Sequence, residues 1–143
     1  MTFTLDDAIR IAREAHEGQV DKSGKPYIGH PLRVMAGVVS TAERMAAVLH
    51  DVVEDTPVTL DDLAAQGCPP DVVAAVGALT HLEEEPQATY LARVAADPIA
   101  RVVKRADIAD NLSPHRIAQL DQATRERLRA KYANALRLLD EHA

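Results

Sequence analysis

Apolar residues recur at helical spacing along nearly the whole of the 143-residue chain, and no segment alternates as a half-buried strand does. The stop signals fall where helices need them. Thr4 caps a first helix with Asp7 at its third position, Leu5, Ala8, Ile9 and Ala12 share one face, and Gly18 ends it. Residues 19–29 hold too much Gly, Lys and Pro for regular structure and read as a loop. Pro31 suits the first turn of a second helix, with Leu32, Met35, Val38 and Val39 as its apolar stripe. Thr41 caps a third, which buries Met45, Val48, Leu49, Val52 and Val53 and ends near Thr56-Pro57. Thr59 with Asp62 opens a short fourth helix that Gly67 closes, and Pro70 starts a fifth running to about Leu79. Two more cover roughly 87–96 and 98–112, parted at Asp97-Pro98, and a last one covers about 122–141. The reading is all-α, as one domain over residues 1–143.

Hydrophobic residues make up 47% of the chain but aromatics only 3%, with Phe3 the single Phe and no Trp. The core must therefore be built from Ala, Leu, Val and Ile, which suits closely packed helices. A net charge of −6 argues against a nucleic-acid partner, since a phosphate backbone calls for a basic surface. Besides Phe3, only Tyr27, Tyr90 and Tyr132 offer rings for base stacking. Small phosphorylated ligands need only a few local cations and stay open. Cys68 stands alone, which excludes an intramolecular disulfide and fits a cytoplasmic setting. No apolar leader and no run of membrane-spanning length is visible, so no membrane partner is expected. The oligomeric state is left unassigned.

The chemistry concentrates at His50-Asp51, set within Ala47-Val48-Leu49 and Val52-Val53-Glu54-Asp55. A charge in such apolar company is costly unless it is paired or binds a cation. Glu54 and Asp55 follow at helical spacing, on the same side. His30, just ahead of the second helix, and Asp107, mid-helix, sit in similarly apolar surroundings. Two imidazoles and two carboxylates make a mixed nitrogen and oxygen set that suits Mn²⁺ or Fe²⁺, with Zn²⁺ also possible. Each residue also has an ordinary reading. His30 can be a helix-start residue bonded to backbone, and Asp107 can form a surface ion pair with Lys104 or Arg105. One shared site explains their joint occurrence better.

At these residues the chain resembles the hydrolase domain of the RelA/SpoT-homologue family. The matching stretches are Ala15-His16-Glu17-Gly18-Gln19, Gly24-Lys25-Pro26-Tyr27-Ile28-Gly29-His30-Pro31-Leu32 and Leu49-His50-Asp51-Val52-Val53-Glu54-Asp55-Thr56. Weaker echoes run over residues 78–82 and 104–112. The resemblance implies a compact HD-domain helical bundle of about seven to eight helices around one metal site. It also implies release of pyrophosphate from the 3′-diphosphate of (p)ppGpp, in the manner of a stand-alone small alarmone hydrolase. By the same resemblance His30, His50, Asp51 and Asp107 hold Mn²⁺, and Glu54 and Asp55 position or activate the attacking water. Lys22, Lys25, Tyr27, Arg105 and Asn111 would meet the nucleotide.

The chain departs from the family at Asp21-Lys22, where Arg-Lys is usual. It departs again at Ala106-Asp107-Ile108-Ala109-Asp110-Asn111, which lacks the usual arginine and histidine. Two other readings therefore stand beside the first. One is an HD phosphohydrolase for another nucleotide or NADPH, and the other is a metal-binding helical module without catalysis.

Overall fold

The computed structural model describes residues 2–21, 24–118 and 120–141. These form ten helical segments: α1 (Leu5–Ala15), α2 (Gly29–Ala36), α3 (Thr41–Leu49), α4 (Val52–Asp55), α5 (Leu60–Ala65), α6 (Pro70–Leu79), α7 (Gln87–Ala96), α8 (Pro98–Asn111), α9 (Pro114–Ile117) and α10 (Gln122–Glu141). Two of them, α4 and α9, are single turns, which leaves the seven to eight longer helices expected. No strand forms among the described residues. Val20 and Pro26 make one isolated antiparallel bridge that closes the α1–α2 loop.

Helix starts follow local chemistry. Thr4 and Thr59 are capping boxes with Asp7 and Asp62, each side chain accepting a backbone N–H that would otherwise lack a partner. The third cap differs from the expectation: Ser40, not Thr41, caps α3. The reason lies three residues on. Glu43 returns hydrogen bonds to the Val39 and Ser40 N–H groups, whereas a cap at Thr41 would face Arg44, which has no acceptor to return.

Two other boundaries shift. The second helix begins at Gly29, so His30 lies inside its first turn, and it ends at Gly37, leaving Val39 83% exposed. The third helix breaks at His50-Asp51 instead of running to Thr56, and Val53 is only half-buried. The Ala47 carbonyl, which an unbroken helix would give to the Asp51 N–H, is taken by the His50 ring at 2.5 Å.

α3 is the hub. Met45, Ala46, Ala47, Val48 and Leu49 are all buried, so the C-terminal half of the helix is apolar on every side, and α3 packs against α1, α2, α6 and α8. Alanines at positions 8, 12, 46, 47, 75 and 100 are fully buried. Their small side chains bring helix backbones close and carry the start of α2, the end of α3 and the middle of α8 to one point. Leu91 on α7 is fully buried in this core. Leu91→Ala is expected to cost about 2–5 kcal/mol. In urea unfolding this lowers the midpoint with an unchanged slope, and an unchanged midpoint would place Leu91 outside the core.

Candidate metal centre

Four side chains from three places in the chain meet at one point. His30 comes from the first turn of α2, His50 and Asp51 from the break after α3, and Asp107 from the middle of α8. His30 Nε2 lies 2.8 Å from Asp107 Oδ1 and 3.9 Å from Asp51 Oδ2. His50 Nε2 lies 3.1 Å from Asp51 Oδ2 and 3.4 Å from Asp107 Oδ1. His30, His50 and Asp107 are buried and present atoms close enough to share one ion. Asp51, Glu54 and Asp55 form an adjoining carboxylate group on the more open side.

The donor chemistry fits a cation. A carbonyl only accepts, so the 2.5 Å contact with Ala47 fixes His50 with its proton on Nδ1. The Nε2 lone pair then faces two carboxylates and makes no hydrogen bond, although it is buried. An acceptor aimed at acceptors is stable only with a positive charge between them. A proton can serve: burial opposes charge on His50, but Asp51 and Asp107 outweigh it and raise its pKa well above the usual histidine range. A divalent ion meets the same need with stronger bonds.

The second layer of contacts is equally specific. Asp110 accepts from His30 Nδ1 at 2.6 Å and from Arg33 at 2.7 and 3.2 Å. This carboxylate–histidine arrangement turns His30 Nε2 inward. The Tyr27 hydroxyl donates to Asp51. Burial raises Asp51, yet the charge of His50 and these hydrogen bonds bring it down to about 2. Lys104 lies 3.2 Å from Asp107; burial pushes that carboxyl up, and Lys104 and the histidines hold it well below the usual range. Asp55 moves the other way, to about 6, because of burial and then the charges of Asp51 and Glu54.

The centre opens into a cleft of roughly 260 Å³ whose far wall comes from α9 and α10, with Arg116, Lys131 and Tyr132. Glu54, Asp55, Tyr27 and Asn111 also line it. Asn111 reaches back one turn to donate to Asp107 at 3.1 Å. The surface and backbone readings of His30 and Asp107 are thereby replaced by shared burial. Arg105 is corrected: its guanidinium pairs with Asp140 on the exposed side of α8, because two residues along a helix from Asp107 point away from it. Lys25 is exposed in the α1–α2 loop and does not line the cleft. Lys22 lies outside the described residues.

Sequence reasoning missed Asp110 and Lys104 as parts of the site, though both stand three residues from Asp107 and so share its face. Arg116 and Lys131 carried no motif. His16 is buried as a packing residue against Tyr27, with ring centroids 5.0 Å apart, and its Nδ1 meets Gln19 at 3.0 Å.

The fold and this His/His-Asp/Asp constellation define an HD domain, and residues 8–137 match that family; the chain belongs to it. Among relatives, the bifunctional (p)ppGpp synthase/hydrolase SpoT of Escherichia coli is 51% identical over 63 residues, 41% of this chain and 9% of that protein. A GTP pyrophosphokinase of Streptomyces coelicolor is 37% identical over 122 residues, 76% of this chain and 14% of that one. The chain thus matches only a small part of these long relatives. A solved structure, that of a metazoan ortholog of SpoT that hydrolyzes ppGpp, superposes with a TM-score of 0.74 at 27% identity. It covers 96% of this chain and 92% of its own.

Asp110→Asn removes the carboxylate that orients His30 and is expected to weaken divalent-metal binding about 10–100-fold, read by metal titration. The same variant has a pH signature. Burial raises the Asp110 carboxyl, but the bonds from His30 and Arg33 hold it at about 2, below the ordinary 3.8. Its charge therefore stabilises the metal-free fold above that ordinary value, and the contribution fades as the pH falls toward 2. The stability gap between wild type and variant should close over that window; a gap independent of pH would contradict the assignment.

Proposed function

We propose that the chain is a metal-dependent phosphohydrolase that releases pyrophosphate from the 3′-diphosphate of (p)ppGpp. The observation that carries the reading is the buried His50 Nε2, without a hydrogen-bond partner and facing Asp51 and Asp107 beside His30, at the head of a cleft lined with cations. His30, His50, Asp51 and Asp107 would hold one Mn²⁺, with Fe²⁺ or Zn²⁺ as alternatives. When bound, the ion makes water acidic enough to attack near neutral pH and draws charge from a phosphoryl oxygen.

The protein's own groups do the rest. Glu54, held by the His81 N–H at 2.7 Å, presents an acceptor that orients the attacking water. Asp55, with its pKa pushed up to about 6, is matched to take that water's proton near neutral pH. As the water oxygen bonds to phosphorus, the bond from phosphorus to the ribose 3′-oxygen breaks, and the leaving oxygen ends protonated. Arg116 and Lys131 on the far wall offset phosphate charge. Lys104 also lines the cleft and is paired there with Asp107 at 3.2 Å.

Similarity to SpoT and to the metazoan ppGpp hydrolase supports this substrate, as does a cleft suited to a small nucleotide. A cytoplasmic setting belongs to the same reading. A second substrate, another nucleotide or NADPH, is favoured by Asp21 where the family usually has arginine. The test is phosphate and pyrophosphate release from ppGpp, GTP, GDP and NADPH, with added Mn²⁺ against a chelated control. Pyrophosphate from ppGpp is expected, abolished by chelation and by Asp51→Ala. Turnover of NADPH alone would overturn the alarmone assignment, and retained activity in Asp51→Ala would overturn the site.

A further inference from the structure

The last turn of a helix leaves four carbonyls without intrahelical donors, and an end packed in protein must satisfy them elsewhere. At the end of α6 every one is accounted for. Val76 accepts from the Thr80 hydroxyl at 2.8 Å, and Leu79 accepts from the Tyr90 hydroxyl at 2.8 Å. Gly77 and Ala78 accept from Arg93 Nη1 at 2.9 and 3.0 Å. The same guanidinium continues past the helix end, where Nη2 donates to the Thr80 carbonyl at 3.1 Å and to Glu85 Oε1 at 2.6 Å. One side chain of α7 thus ties down both ends of the loop over residues 80–85. A lysine, a point charge without the planar fork, could not make these four bonds.

That loop is what holds Glu54. Among the described residues the His81 N–H is the hydrogen-bond donor to the Glu54 carboxylate, at 2.7 Å. The His81 ring is fixed in turn, with Nε2 meeting the Glu85 carbonyl at 2.9 Å and the ring 4.6 Å from that of Tyr90. Glu54 sits on α4, a single turn and exposed, which cannot fix a long side chain by itself. Arg93 does not line the cleft, so any effect it has on the reaction must pass through the loop.

We propose that Arg93 is a positioning residue for Glu54: by pinning residues 80–85 to α7, it keeps the His81 N–H where that group aims the Glu54 carboxylate at the attacking water. The proposal rests on the role given to Glu54 above. Removing the guanidinium frees the carbonyls of α6 to turn to water and loosens the loop, while the ligands on α2, α3 and α8 keep their own supports.

The test is a double-mutant cycle of Arg93→Met with Glu54→Gln, using whichever nucleotide the wild type hydrolyses, with Mn²⁺ affinity and amide hydrogen exchange at His81 measured alongside. Arg93→Met is expected to lower kcat about 10-fold in the wild-type background and less than about two-fold in Glu54→Gln, because the two act as one unit. KM and Mn²⁺ affinity should stay within about two-fold, and exchange at His81 should quicken. An equal loss in both backgrounds, or a loss carried by KM or by metal affinity, would overturn the proposal. If Arg93→Met does not fold, Glu85→Ala, which removes one acceptor of the same guanidinium, should show the same pattern more weakly, and additivity there would overturn it. If the wild type hydrolyses none of the nucleotides, the functional reading fails, and exchange at His81 unchanged by Arg93→Met would separately sink the contact.

Discussion

Three buried or half-buried carboxylates, Asp51, Asp107 and Asp110, converge between helices made otherwise of alanine, valine and leucine. Removing such charges from water costs several kcal/mol each unless partners return it. Much of the fold's polar interior answers that demand: Arg33 and His30 serve Asp110, Lys104 and His30 serve Asp107, and His50 and Tyr27 serve Asp51. These partners come from α2 and the loop before it, the end of α3 and α8, so satisfying the charges also fixes how those helices meet. His50 Nε2 faces both Asp51 and Asp107, so a proton or a metal ion must stand between them. That position calls for a positive charge, which a proton on His50 supplies and a divalent ion can replace.

The helical plan and the heart of the site could be read from residues alone, because both depend on local patterns. Capping boxes at Thr4 and Thr59 announce themselves three residues apart, and polar residues flanked by Val and Leu stand out as buried charge. Errors arose where two local signals competed. Ser40 and Thr41 can both cap, and Glu43 decides between them. The break at His50 depends on a ring taking a carbonyl, which no hydrophobic period reports. Arg105 and Lys104 show a recoverable mistake: at about 100° per residue, the cation three positions from Asp107 faces the site and the one two positions away does not.

What could not be read is tertiary. Lys131 reaches the cleft only because α10 packs on α7 and α8, a docking set by scattered contacts such as Ala135 and Leu139, and Arg116 because α9 packs back on α8. The support given to Glu54 is likewise invisible in sequence, since Arg93 lies 39 positions beyond it and acts through a loop. The centre therefore has a local half, written in motifs on α2, α3 and α8. Its other half, the far wall and the α6–α7 loop, is built by packing.

The proposed centre requires that His30, His50, Asp51 and Asp107 share one divalent ion. Its most direct test is the anomalous-scattering map of crystals grown with Mn²⁺. A single strong peak bonded to His30 Nε2, His50 Nε2 and one oxygen each of Asp51 and Asp107 is expected. A peak on Glu54 and Asp55 instead, or none at the centre at saturating Mn²⁺, would contradict it.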